Sequence, residues 1–283
     1  MTIDEQNSSA NGMFLTSSIL VFSDENYNNN QFIQVVLLDD LLINGRHRRI
    51  EDIAIREYDG SLFIQRVLKL IDIGPFAVAS MALEIPPEKQ NAAKLDTSLL
   101  PLNHSKILIP YIQAMAAAPF ALEAIQLEKN GKIWNILEIG LGTGILNSFL
   151  HNIFSSMNIT AIELERGMYE IAKKYFGLIE DNYQRVIIED GIQYLQRISN
   201  EPKYDVIFID ACYDRIIADV ICPVETFMLE QNLKIVKKAL TKNGIIVLSV
   251  LACGEYRTNK TEFVRKLKEI YKKFGFDSQP NIE

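Results

Sequence analysis

The 283 residues are 48% hydrophobic, enough to bury a sizeable core, so a chain disordered throughout is excluded. Lysine plus arginine number 29 against 36 acidic residues, and the resulting net charge of −7 provides no global basic field, which argues against a nucleic-acid partner. The longest apolar stretches, 73–83 and 245–253, fall short of the roughly 18 residues a membrane helix needs.

The amino terminus is acidic and polar through Asn11 and lacks the basic start and apolar centre of a signal peptide. Cys212, Cys222 and Cys253 are odd in number and show no C-x-x-C spacing, which predicts reduced, buried thiols, no metal site and a cytoplasmic compartment. Residues 19–22, 32–38, 53–58, 62–70 and 76–83 are short runs rich in β-branched and aromatic side chains, separated by turn pairs such as Asn44-Gly45 and Asp59-Gly60. They predict a small antiparallel β region. Pro86-Pro87 and the polar stretch 88–96 break this pattern and divide the chain into a β-rich region over 1–95 and a second domain over 96–283. Alanine, leucine, isoleucine and methionine dominate 103–127, which predicts helix on either side of Pro119. From residue 132 the patterns alternate, with strands over 133–139, 159–164, 185–188, 205–209 and 245–251 and helices over 144–154, 167–176, 192–198, 224–240 and 260–274. This alternation predicts an α/β fold with a parallel, doubly wound sheet.

The main chemical signal is the run from Ile136 through Glu138 to Gly140, Gly142 and Gly144, where a buried strand meets three glycines and then a helix. Glycines there permit positive φ and close approach of a ligand to the backbone, and the helix start offers free N–H groups. A dinucleotide fingerprint requires its third glycine at position 145, which is Ile145, so the spacing favours a nucleoside cofactor over NAD. Glu163 ends the next strand, where a carboxylate accepts both ribose hydroxyls, and Glu165 is the fallback for that role. Asp190-Gly191 closes the third strand, where an aspartate can hydrogen-bond an adenine amine or simply cap the following helix. Asp210 ends the fourth strand at the crevice outside the carboxyl ends, and is the candidate for the reacting centre. An amine attacking an alkyl sulfonium must first lose a proton, and a carboxylate there can hold the ammonium in line and take or relay that proton.

Residues 103–274 resemble the spermidine synthase-like superfamily through the glycine loop ILEIGLGTG, AIELERGMYEIAKKYFGL at 161–178, RVIIEDGIQYL at 185–195 and YDVIFID at 204–210. Within it the chain is more similar to the methyltransferase-like branch that includes the enzyme modifying translation elongation factor 1-alpha, through Cys222-Pro223, Phe227 and 240–251. The resemblance implies a Rossmann-like sheet of class I methyltransferase type and a homodimer. It also implies S-adenosylmethionine contacts at Gly140, Gly142, Glu163, Asp190 and Asp210, and Glu138, Gly144 and Gly191 complete the candidate set from the same motifs. Three functions stay open: methyl transfer to an amine, free or on a protein; aminopropyl transfer from decarboxylated S-adenosylmethionine; and a non-catalytic binding or dimerising role.

Two departures bear on that choice. The aspartate of the polyamine synthases' G-G-G-D-G loop is replaced by Thr143, and their two-carboxylate D-S-x-D-P segment reads Asp210-Ala211-Cys212-Tyr213-Asp214, with Tyr213 in the second acid position. A cationic diamine thereby loses one anchor, unless Asp214 substitutes. The chain also ends nine residues past Phe274, too soon for the antiparallel hairpin that closes a full methyltransferase sheet, which predicts that no final strand forms. Among weaker features, His47 and His151 read as surface residues and Arg46 to Arg49 as a solvated hairpin tip. His104 reads as a packing residue at the domain junction, and Tyr111 and Tyr213 as core aromatics that could also stack on a ligand.

Overall fold

The computed structural model describes residues 11–17, 31–73, 77–92, 95–126, 131–198, 203–215, 219–252, 260–273 and 276–278. The first strand, β1 (Asn11–Ser17), joins the large sheet. The next four, β2 (Gln31–Ile43), β3 (Arg46–Arg56), β4 (Leu62–Leu70) and β5 (Ala77–Ala82), form an antiparallel meander in chain order. Asn44 and Gly45 both take positive φ, 51° and 75°, the geometry of a two-residue hairpin whose twist matches its strands. β3 begins seven residues before the predicted 53–58, because the basic run 46–49 lies inside the strand rather than in a solvated tip. Asp52, fully buried on β3, is held bidentately by Arg66 of β4 at 2.7 and 2.9 Å.

In the second half, α1 (Pro110–Ala121) carries Pro119 within the helix instead of breaking at it. Strands and helices then alternate: β6 (Trp134–Ile139), α2 (Ile145–Ile153), β7 (Met157–Glu163), α3 (Arg166–Phe176), β8 (Gln184–Ile188), α4 (Gly191–Ile198) and β9 (Tyr204–Ile209). They are followed by β10 (Val220–Cys222), α5 (Glu230–Ala239), β11 (Leu240–Ala252), α6 (Lys260–Lys273) and β12 (Phe276–Ser278). The predicted helix 224–240 divides into a 3₁₀ turn, Glu225–Met228, and α5.

The large sheet runs β12-β1-β11-β9-β6-β7-β8, all parallel, with β10 antiparallel on β11. Side chains alternate between its faces, as a doubly wound sheet requires. On one face Ile136, Val206, Phe208 and Val247 pack under α1, α2 and α3, and Ile50, Leu68, Ala79 and Met81 of the meander join the same core. On the other face Leu137, Ile207, Ile209 and Leu248 pack under α4, α5 and α6. Arg66 also donates to the Tyr175 carbonyl of α3 at 2.9 Å, so the ion pair that rigidifies the meander binds it to the large domain.

Two further expectations are corrected. A strand does form after α6: β12 is the edge strand and pairs in parallel with β1, which the amino-terminal segment inserts between β11 and β12. Nothing local in Asn11–Ser17 marks it as a strand; pairing with β11, from Gly12 opposite Ile245 to Ser17 opposite Val250, makes it one. Cys212 and Cys222 are joined in a disulfide rather than left as separate thiols. A separation of ten residues gave no sign of this, because the return of the chain along β10 brings the two together. Predicted strand 19–22 and Cys253 fall outside the described residues.

Candidate active site

The carboxyl ends of β6, β7, β8 and β9 converge on the crevice where sheets of this kind bind ligands. Gly140 leaves β6 with φ of 93°, and a Cβ there would lie 2.5 Å from the Asp210 carbonyl oxygen. Only glycine lets β6 and β9 meet this closely. Gly142, at φ 55°, has open space where a side chain would stand, and Gly144 caps α2 in the left-handed conformation at φ 73°. The loop is therefore a cradle of bare backbone under the start of α2.

Glu163, buried at the end of β7, turns back onto that cradle. Its Oε2 accepts from the amides of Leu141 (3.0 Å) and Gly142 (3.3 Å), and its Oε1 from Glu165 N (2.8 Å). Burial raises its pKa, and the three backbone donors oppose that rise. Glu165 points away from the loop, accepting from Asn44 Nδ2 at 2.6 Å in the β2–β3 turn. Asp190 caps α4, with Oδ1 accepting from the amides of Ile192 and Gln193 at 2.9 Å each. A Cβ on Gly191 would come within 2.5 Å of Ile139, so this glycine lets the start of α4 press against β6.

Asp210 follows β9 at the centre. Tyr111 Oη of α1 donates to its Oδ2 at 3.3 Å, and the buried Ser249 hydroxyl of β11 donates to it as well. Burial pushes Asp210 up to about 6, with both hydroxyls pulling the other way. Glu138, buried on β6, is driven well above the usual carboxylate range by burial and by Asp210 and Glu163 nearby, and its Oε2 has no hydrogen-bond partner. Burial, Asp210 and Glu138 push Tyr111 up. Three carboxylates thus share a low-dielectric crevice, an arrangement that a cationic ligand relieves.

The meander covers this crevice. Arg46 Nε pairs with Asp214 Oδ2 at 2.8 Å, and Arg48, almost wholly buried on β3, reaches Asp214 at 3.4 Å and Glu165 at 3.7 Å. Asp214 follows β9 and Glu165 follows β7. Since β6 lies between those strands, one guanidinium touching both loops spans the end of β6 and the glycine cradle. Sequence reasoning missed Arg46, Arg48 and Ser249. The arginines carried no signal beyond a basic run, whereas Ser249 is detectable as the one hydroxyl in the apolar run from Ile245 to Leu251. Of the remaining candidates, His104 is half-buried beside Gly177 with Nδ1 unpartnered, and burial lowers its pKa. His47 is exposed near Asp40 (3.0 Å), and His151 is half-buried with Asp181 at 3.2 Å.

Sheet order, glycine cradle and strand-end carboxylates define an α/β protein of the Rossmann-like class shared by class I methyltransferases and polyamine synthases. The spermine/spermidine synthase domain matches residues 124–280, more than half of the chain, and the chain belongs to that family. It is 28% identical over 238 residues to an eEF1A lysine and N-terminal methyltransferase homolog of Drosophila pseudoobscura pseudoobscura, covering 82% of this chain and 34% of that protein. It is 30% identical over 161 residues to the eEF1A lysine and N-terminal methyltransferase of Homo sapiens, covering 56% and 22% respectively. A probable spermidine synthase from Corynebacterium glutamicum ATCC 13032 is similar in fold alone, with a TM-score of 0.51 at 12% identity over 80% of this chain and 68% of that one. The chain spans about a third or less of the length of these two curated relatives.

Proposed function

We propose that this chain binds S-adenosylmethionine over the glycine cradle and transfers its methyl group to an amine, most simply an amine of a protein. The residues fit such a ligand: open space over Gly142, a carboxylate at Glu163, an orphaned buried oxygen on Glu138, and a crevice in which three carboxyl groups are crowded together away from water. Glu163 would take a ribose hydroxyl with the lone-pair site left on Oε1, and the second oxygen of Asp190 would take the adenine amine. Bound there, the cofactor supplies a methyl group on a sulfonium, whose carbon–sulfur bond breaks as the nitrogen–carbon bond forms. Asp210 would hold the acceptor ammonium in line and take or relay its proton. Tyr111 and Ser249 fix the Asp210 carboxylate, and a pKa of about 6 keeps it mostly ionised at neutral pH while leaving it basic enough for that exchange.

The observation that carries methyl transfer over aminopropyl transfer is the fate of Asp214. A diamine needs two free carboxylates, and Asp214, the residue placed to replace the missing second one, is neutralised by Arg46 and Arg48. The names of the relatives support the same reading, as does Thr143, buried where polyamine synthases carry an aspartate. A cytoplasmic location and a homodimer belong to this proposal too; light scattering on the eluting protein tests the latter. No helix among the described residues is long and apolar enough to cross a membrane. The test of function is transfer of tritium from methyl-labelled S-adenosylmethionine to translation elongation factor 1-alpha, with putrescine and decarboxylated S-adenosylmethionine in parallel. Label in the protein is expected; polyamine formation instead would overturn the reading.

A further inference from the structure

Immediately after Asp210 the chain carries a covalent tie that the proposed chemistry does not use. Cys212 is exposed and Cys222, on β10, is buried; their sulfurs are bonded, and Cys212 Sγ lies 3.5 Å from Asp210 Oδ1. Two backbone hydrogen bonds close the same turn, Tyr213 N to Ile221 O at 3.0 Å and Val224 N to Ala211 O at 2.9 Å. Beyond it, Asp214 is held by the meander's arginines. Asp210 therefore sits at one end of a short segment fixed by the disulfide and, further on, by ion pairs. The glycine cradle, Glu163 and Asp190 are fixed by bonds that do not involve this segment.

We propose that Cys212 and Cys222 are a reversible thiol–disulfide site through which the redox state sets the order of the segment that presents Asp210. The exposed sulfur decides the route of opening. A thiolate of an external dithiol attacks Cys212 Sγ, the sulfur–sulfur bond breaks, and Cys222 leaves as a thiolate that takes up a proton. The second thiol of the reductant then attacks its own sulfur in the mixed disulfide, releasing Cys212. Two electrons and two protons pass to the protein, and the dithiol departs as a cyclic disulfide. The neutral sulfur beside Asp210 becomes a thiol free to turn or to donate to the carboxylate, and the segment from 211 loses its covalent restraint. Closure by an oxidised dithiol reverses each step. The proposal concerns the acceptor side of the site and stands whether the transferred group is methyl or aminopropyl.

The test uses the whole chain in dithiothreitol and in its oxidised form, with a chelator present, because the two cysteine sulfurs and an Asp210 oxygen lie within 4.8 Å of one another and the freed thiols could take up a metal ion. Alkylation in denaturant without reductant should label one cysteine in the oxidised protein and three in the reduced. Hydrogen–deuterium exchange at the amides of Tyr213 and Val224 should accelerate at least tenfold on reduction, while the dissociation constant of S-adenosylhomocysteine moves less than threefold. C212S should exchange at the reduced rate in both buffers, and its S-adenosylhomocysteine binding reports that it is folded. Three labelled cysteines after oxidation, or equal exchange of the wild-type amides in the two buffers, would overturn the proposal without bearing on methyl transfer.

Discussion

Glu163→Gln separates a ligand site from a mere strand-to-helix turn. In the wild type one carboxylate accepts three backbone N–H groups at 2.8 to 3.3 Å and keeps one lone-pair site, on Oε1, for a ribose hydroxyl. The amide keeps one acceptor oxygen, but its NH2 group must face either the Leu141 and Gly142 donors or the ribose. Hydrogen bonds to a charged group are worth about 1.5–3 kcal/mol each, so losing one or two of them should cost about 2–4 kcal/mol of cofactor binding. That corresponds to a dissociation constant roughly 30- to 700-fold weaker. Isothermal titration with S-adenosylhomocysteine at pH 7.5 measures it, and the thermal transition of the unliganded variant shows whether the cradle still folds. Unchanged affinity in a folded variant would refute the assignment of Glu163 to the ribose.

Activity should rise with pH through an acid limb near 6, where Asp210 ionises; Asp210→Asn should remove that limb and lower kcat by about 10²–10⁴-fold, as pH–rate profiles would show. Because the folded-state pKa of Asp210 lies above its unfolded value of 3.8, the folded protein binds more protons between about pH 4 and 6. Stability of the unliganded protein should therefore fall as pH rises through that window, by at most ~3 kcal/mol from this residue, and denaturant titrations at pH 5 and 7 would measure a smaller slope in Asp210→Asn. Gly140→Ala places a methyl 2.5 Å from the Asp210 carbonyl and forces a positive φ on alanine, so cofactor binding should be lost in calorimetry together with several degrees of melting temperature. Arg66→Met leaves Asp52 buried without its partner and should cost about 3–5 kcal/mol in urea unfolding.

The large sheet was legible because each element carries its own period: α3 repeats buried positions at Ile171, Ala172, Tyr175 and Phe176 and stops at Gly177, whose φ is 66°. The glycine cradle and the acids at strand ends were legible for a related reason, since topology places every strand's carboxyl end at one crevice. Long-range pairing was not legible. β1 is a strand only because β11 and β12 flank it, and Arg46 and Arg48 look like a solvated tip until the loops after β7 and β9 supply their carboxylates. The 212–222 disulfide likewise depends on the return of β10, and of the two roles the motif offered Asp190, ligand contact or helix cap, the fold displays the cap on α4.

The most direct test of the central claim is calorimetric titration of the chain with S-adenosylmethionine, S-adenosylhomocysteine and decarboxylated S-adenosylmethionine side by side. Micromolar binding of the first two, with weaker binding of the decarboxylated form, is the predicted result. A preference for the decarboxylated compound, or no binding of any of the three, would contradict it.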